Sequence, residues 1–228
     1  GIPVTFFASL IFFLKKKFFP YSKIKSLDTI LFTCIAEMGA LFVSHPAVIS
    51  ARNKFPETRI LFLTGPGGGE ALKIMGFKEE NIFEINTSSI STILKDCLQL
   101  KREFKQFKNI FNVVLEPFTR FSHLIGFWLG VHRMSGCHPF NAEGGYLGNL
   151  ITHPVIYNPH LHASQQFVSL VEGISNTKRE EPSSKIKISN QTRNRARFKA
   201  FSEEKLAFKE KILKICPSIK NKKWIILN

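Results

Sequence analysis

Across the central part of the chain, short apolar runs alternate with longer stretches whose apolar residues recur every three or four positions. The runs are residues 29–35 (TILFTCI), 59–64 (RILFLT), 81–85 (NIFEI) and 110–115 (IFNVVL). Each is rich in β-forming residues and bounded by turn residues, which predicts buried strands of a parallel sheet. Between them, residues 38–54 carry Leu41, Val43, Ala47, Val48 and Ala51 near helical spacing. Pro46 falls inside this helix and is expected to kink it or reset its start. The loop GPGGGE (65–70) leads into a helix over 70–75, and residues 90–107 repeat apolar positions at Ile93, Leu94, Cys97, Leu100, Phe104 and Phe107. Residues 120–130 read as a further helix, and 131–136 as a fifth strand or a turn. Strands and helices alternating at this spacing mark an α/β domain on a parallel sheet with right-handed crossovers. Ligands of such sheets sit beyond the carboxyl ends of the strands, here residues 37–39, 65–69, 86–89 and 116–120.

The two ends differ from this middle. Residues 2–14 (IPVTFFASLIFFL) form an apolar run of 13 residues followed by Lys15-Lys16-Lys17. A spanning helix needs roughly 20 residues. Three readings stand: a helix lying in a membrane interface, the end of a transmembrane anchor with its lysines on the cytoplasmic side, or an ordinary core helix. A signal-peptide core fits poorly, because the lysines follow the apolar run and no small-residue cleavage site is present. Residues 177–197 are polar and basic and read as a linker or extended arm. Ser202 with Glu203 and Glu204 makes a helix start, Leu206, Leu213 and Cys216 share a face, and Pro217 ends the helix. Residues 223–228 then open like a new buried strand. With a first residue other than Met and this strand at the end, the chain reads as part of a longer protein.

Composition adds limits. The chain has 228 residues, 44% of them hydrophobic, which is enough for a substantial core and excludes general disorder. Cys34, Cys97, Cys137 and Cys216 form no C-x-x-C pair, so neither zinc nor a disulfide framework is indicated, and a reducing compartment fits. The net charge of +15 is uneven. Residues 178–223 hold 15 Lys/Arg against 5 Asp/Glu, residues 1–30 hold 5 against 1, and residues 31–177 hold 12 against 11. A nucleic-acid reader spreads its basic residues over the folded face. Basic flanks beside an apolar segment point to an anionic membrane surface instead, and no nucleic-acid partner is expected.

Candidate chemistry concentrates at a few places. GPGGGE lacks the Lys-Ser/Thr of a P-loop and the G-x-G-x-x-G spacing. It reads either as a flexible turn or as a backbone cradle for an anionic substrate. His153, His160 and His162 lie in THPVIYNPHLH and stand either as metal ligands or as hydrogen-bonded neutral histidines. No G-x-S-x-G elbow is present. Glu116, before Pro117 at a strand end, is catalytic or capping. Glu37 is a lone carboxylate at the carboxyl end of the first strand. Apolar neighbours would desolvate it and suit it to general-base work, while the alternative is a cap on the following helix.

The stretch IAEMGALFVSHPAVISARNKFPETRILFLT resembles the opening of glycosyltransferase family 9, the group of the lipopolysaccharide heptosyltransferases. The shared order is a strand, a Met/Leu-Gly turn, a helix containing Pro, and a Lys54-Phe55-Pro56-Glu57-Thr58 turn into the second strand. FNAEGGYLGNLITHPVIYNPHLHASQQFVSLVEGI (140–174) resembles the end of the N-terminal domain in a membrane-associated branch, and KKWIILN the first strand of the donor domain. The resemblance implies a GT-B enzyme made of two Rossmann-like domains, of which this chain holds the N-terminal one. It divides the chain into a membrane-associating segment (1–27), an acceptor-binding domain (28–177), a basic linker and connecting helix (178–221) and the first strand of a donor domain (222–228).

The implied reaction is inverting, metal-independent transfer of a heptose-like sugar from a nucleotide-sugar to a lipopolysaccharide or other lipid-linked glycan. It needs no cofactor and takes place at the cytoplasmic face of the inner membrane. The family places its catalytic Asp directly after the Met/Leu-Gly pair, where this chain has Ala40. Either Glu37, the only carboxylate in that turn, takes the base role, or the mechanism differs. Met38, Gly39, Gly67, Gly68, Gly69, Glu143, Gly144, Tyr146, His153 and Asn158 are the expected acceptor-lining residues. Two rivals remain at this stage: a nucleic-acid-binding protein resting on the basic arm, with steeply salt-dependent binding, and a non-catalytic α/β module. Without the donor domain the chain alone is expected to be inactive.

Overall fold

The computed structural model describes residues 4–11, 27–137, 150–175, 202–220 and 222. The chain divides into two compact units, residues 1–196 and 197–228. The first unit is built on a six-stranded sheet in the order β3-β2-β1-β4-β5-β6, with every neighbouring pair parallel. The strands are β1 (Thr29–Cys34), β2 (Arg59–Thr64), β3 (Ile82–Glu84), β4 (Ile110–Val114), β5 (Met134–Cys137) and β6 (His153–Val155). The helices are α1 (Met38–Val43), α2 (His45–Lys54), α3 (Gly68–Ile74), α4 (Ile90–Glu103), α5 (Arg120–Trp128) and α6 (Ala163–Glu172).

The central strands are apolar on both faces because both faces are covered. Ile30, Phe32, Ile60, Phe62, Phe111 and Val113 point into one layer with Leu41, Val48, Leu72 and the α6 residues Phe167, Val168 and Val171. The alternate residues Leu31, Leu61 and Leu63 point into the other, with Cys97 and Leu100 of α4 and Ile125 of α5. So α1–α3 and α6 cover one face and α4 and α5 the other, as a doubly wound sheet requires. This is the Rossmann-like α/β fold expected for half of a GT-B enzyme.

Three local outcomes refine the expected elements. Pro46 resets the helix: Ser44 ends α1, and α2 starts with Pro in its first turn, where a missing N–H costs nothing. The fifth strand is Met134–Cys137, and β6 lies beyond it at the sheet edge. An edge is where Pro154 can be accommodated, since its lack of an N–H breaks no ladder bond on the outer side. Residues 4–11 are helical and pack on this unit, with Ala8 against Val114, Met134 and Leu150. In the second unit, α7 (Ser202–Ile215) follows the expected Ser202 start and has Glu203 and Glu204 in its first turn, and it buries no residue. The basic arm over 177–197 and the expected strand over 223–228 lie outside the described residues.

Candidate functional site

The strand order reverses between β1 and β4, so the turns at their carboxyl ends flank the crevice where open α/β sheets bind ligands. The β1 turn runs through Ala36, Glu37, Met38 and Gly39, all exposed. Glu37 occupies the N-cap position of α1, but its side chain makes no cap hydrogen bond. It is therefore not the helix cap that its position allows, and the burial expected from its apolar neighbours is not found. Its backbone is fixed from both sides. The Glu37 carbonyl accepts the Ala40 N–H at 3.0 Å and the Cys34 Sγ–H at 3.1 Å. Burial, assisted by the nearby Glu116 charge, pushes the Cys34 thiol up to about 12, so it stays protonated and remains a donor.

The turn is clamped from the other side of the crevice. Glu116, buried to 1% exposure just past β4, accepts the Ala36 N–H on Oε1 at 2.5 Å and the Ser122 hydroxyl on Oε2. Of the two roles open for Glu116 in the sequence, the hydrogen bonds fit a structural one: it holds the residue next to Glu37 through a charge-assisted bond. Its position on a strand end before Pro117, over the predicted cleft, is the signal that marks it.

His123, on α5 beneath this clamp, is fully buried. Its Nδ1–H donates to the Thr119 carbonyl at 2.8 Å, while Nε2 has no hydrogen-bond partner among the described residues. Burial lowers its pKa, and the Thr119 bond and the Glu116 charge only partly oppose this. The unfolded chain, with His near 6.5, therefore takes up a proton that the folded chain refuses. This contribution to stability is intact above about 6.5 and is lost as pH falls below it, with a slope of up to about 1.4 kcal/mol per pH unit. Urea unfolding between neutral and mildly acid pH is expected to show this loss, and His123→Gln is expected to flatten it.

The β2–α3 glycines answer the question raised by GPGGGE. A β-carbon on Gly65 would collide with the Ile35 carbonyl, one on Gly68 with the Thr64 side chain, and one on Gly69 with the Glu84 carboxylate. Gly69 N–H already donates to Glu84 Oε1 at 2.6 Å. Gly68 and Gly69 are buried packing positions and do not line an open cleft, which corrects their expected role. Gly67 is exposed, has φ of +81°, and stands beside the Met38 methyl. The structure thus brings together Glu37, Met38, Gly39 and Gly67 at the carboxyl ends of β1 and β2.

The remaining expected residues separate. His153 is in the core: it is 3% exposed, its Nδ1 lies 2.9 Å from Thr152 Oγ1, and its ring packs edge-on against Phe111. A side chain enclosed in this way does not line a cleft, so its expected acceptor contact is corrected. Asn158 is exposed in the loop after β6, where its Oδ1 accepts the His160 N–H at 3.0 Å. His162 caps α6, its Nδ1 accepting the Ser164 N–H. No group of three or more His, Cys, Asp or Glu side chains among the described residues could hold a metal ion. Glu143, Gly144 and Tyr146 lie outside the described residues. Sequence reasoning missed an aromatic pair at the same sheet edge: Phe118, after β4, meets Tyr157, after β6, at 5.2 Å.

With this geometry in hand, the chain can be compared with known proteins. No family model matches it, and no curated protein sequence does. Its fold matches solved glycosyltransferases. An E. coli heptosyltransferase, WaaC with ADP, superposes with a TM-score of 0.53 at 12% identity over 66% of this chain and 48% of that one. A glycosyl transferase family 9 protein from Veillonella parvula gives 0.57 at 12% identity, over 80% of this chain and 48% of that one. WaaC with ADP-2-deoxy-2-fluoro heptose gives 0.52 at 12% identity, over 69% and 50%. The chain spans about half the length of each. The likeness is one of fold: the Rossmann-like α/β fold of one GT-B half.

Proposed function

We propose that this chain is the acceptor-binding half of an inverting, metal-independent glycosyltransferase. It would pass a heptose-like sugar from a nucleotide-sugar to a lipopolysaccharide or other lipid-linked glycan. The observation that carries the reading is the placement of Glu37: an exposed carboxylate, unused as a cap, in the first-strand turn at the switch point of the sheet. Support also comes from the fold of heptosyltransferases solved with ADP and with an ADP-heptose analogue. The nucleotide-sugar is a substrate, and no cofactor takes part.

In this mechanism Glu37 accepts the proton of the acceptor hydroxyl as its oxygen attacks the anomeric carbon. The bond to the nucleotide diphosphate breaks on the opposite face, the leaving group takes the electron pair, and configuration inverts. Glu116 and Cys34 hold the turn so that the base is aimed before substrate arrives. Met38, Gly39 and Gly67, beside Glu37, line the acceptor side.

The test supplies the full-length protein with ADP-heptose and a lipopolysaccharide lacking that heptose, and reads the product's anomeric configuration by NMR. Transfer with inversion, at a rate that EDTA changes by less than about twofold, is expected. Retention of configuration, or no transfer, contradicts the proposal.

A further inference from the structure

The helix at residues 4–11 is packed the opposite way from a water-soluble amphipathic helix. Its small and polar side chains, Thr5, Ala8 and Ser9, are the buried ones, with Ala8 in a cluster with Val114, Met134 and Leu150. Its large apolar side chains, Val4, Phe6, Phe7, Leu10 and Ile11, are between 43% and 62% exposed. At about 100° per residue the buried three fall within an arc of about 100°, and the exposed five fill about 160° on the opposite side. Phe6 and Phe7 contact each other with ring centroids 6.0 Å apart, on the outward face.

An apolar face of this kind needs a cover. The charge around it selects the cover. Lys15-Lys16-Lys17 begin four residues after Ile11, a distance the chain spans in at most about 14 Å. Residues 1–30 hold 5 Lys against 1 Asp, and the whole chain carries +15, so a second copy would be repelled and an anionic surface attracted. We propose that the helix at residues 4–11 is the docking face for an anionic lipid bilayer. The five apolar side chains enter the boundary between headgroups and acyl chains, and the net positive charge of residues 1–30 draws the chain to anionic headgroups. No described helix is long and apolar enough to cross a membrane, and this mode of docking does not need one. The inference is independent of the reaction proposed above.

The test sediments the full-length chain with phosphatidylcholine vesicles, alone or with about 30% phosphatidylglycerol. The exposed pair is replaced in Phe6→Ser/Phe7→Ser, which leaves Thr5, Ala8 and Ser9 in place, and circular dichroism verifies the fold. Partition onto the mixed vesicles is expected to fall roughly tenfold or more in this variant. Lys15→Gln/Lys16→Gln/Lys17→Gln is expected to lower it by a similar factor on anionic vesicles only. Ile74→Ser, at an exposed apolar residue elsewhere, should change nothing. Equal partition of wild type and the double serine variant overturns the proposal. So does light scattering that shows a lipid-independent dimer of the wild type and a monomer of the variant, which would give the face to a second copy.

Discussion

Replacing Glu116 by leucine is expected to destabilise the first unit by about 3 kcal/mol or more. The carboxylate is buried and accepts two hydrogen bonds, from the Ala36 N–H and the Ser122 hydroxyl. Leucine fills much of the volume but leaves both donors without an acceptor, and a bond to a charged group contributes about 1.5–3 kcal/mol. Glu116→Gln keeps the shape and one carbonyl oxygen for Ala36, and is expected to cost about half as much. Urea unfolding followed by circular dichroism separates the two. A leucine variant within about 0.5 kcal/mol of wild type would show that the bridge between the turns after β1 and β4 does not hold the fold.

How far the sequence reveals this arrangement depends on what each element is made of. The strands β1, β2 and β4 are legible because both of their faces are covered, which leaves a continuous apolar run in the sequence. β6 is not legible: it has three residues, His-Pro-Val, and Pro argues against a strand everywhere except at an edge. α6 is also absent from the pattern reading, although Phe167, Val168, Leu170 and Val171 bury one face of it.

The site divides in the same way. That Glu37 stands at the end of the first strand follows from local pattern. That Glu116 grips the neighbouring residue does not, because the grip depends on β4 lying beside β1, and strand order is not a local property. The glycine loop illustrates a second limit. A phosphate cradle and a tight helix–strand contact both require a missing side chain, so only the positions of Thr64 and Glu84 distinguish them. For the N-terminal helix, the apolar residues are plain in the sequence, but which side faces inward is decided by the close packing of Ala8 on Met134 and Val114.

The largest expected effect on function belongs to Glu37. A general base contributes typically about 10²–10⁴-fold to rate, and no other carboxylate lies in the turn that carries it. Glu37 is exposed and its side chain makes no cap bond, so Glu37→Gln should leave folding and substrate binding nearly unchanged while removing the proton acceptor. The deciding measurement is steady-state transfer from ADP-heptose by the full-length protein and by its Glu37→Gln variant, with unfolding curves run in parallel. The prediction is a fall in kcat of about 10²-fold or more with KM altered by less than about threefold. Undiminished kcat in a folded variant would contradict the assignment of the base, and with it the mechanism proposed for this turn.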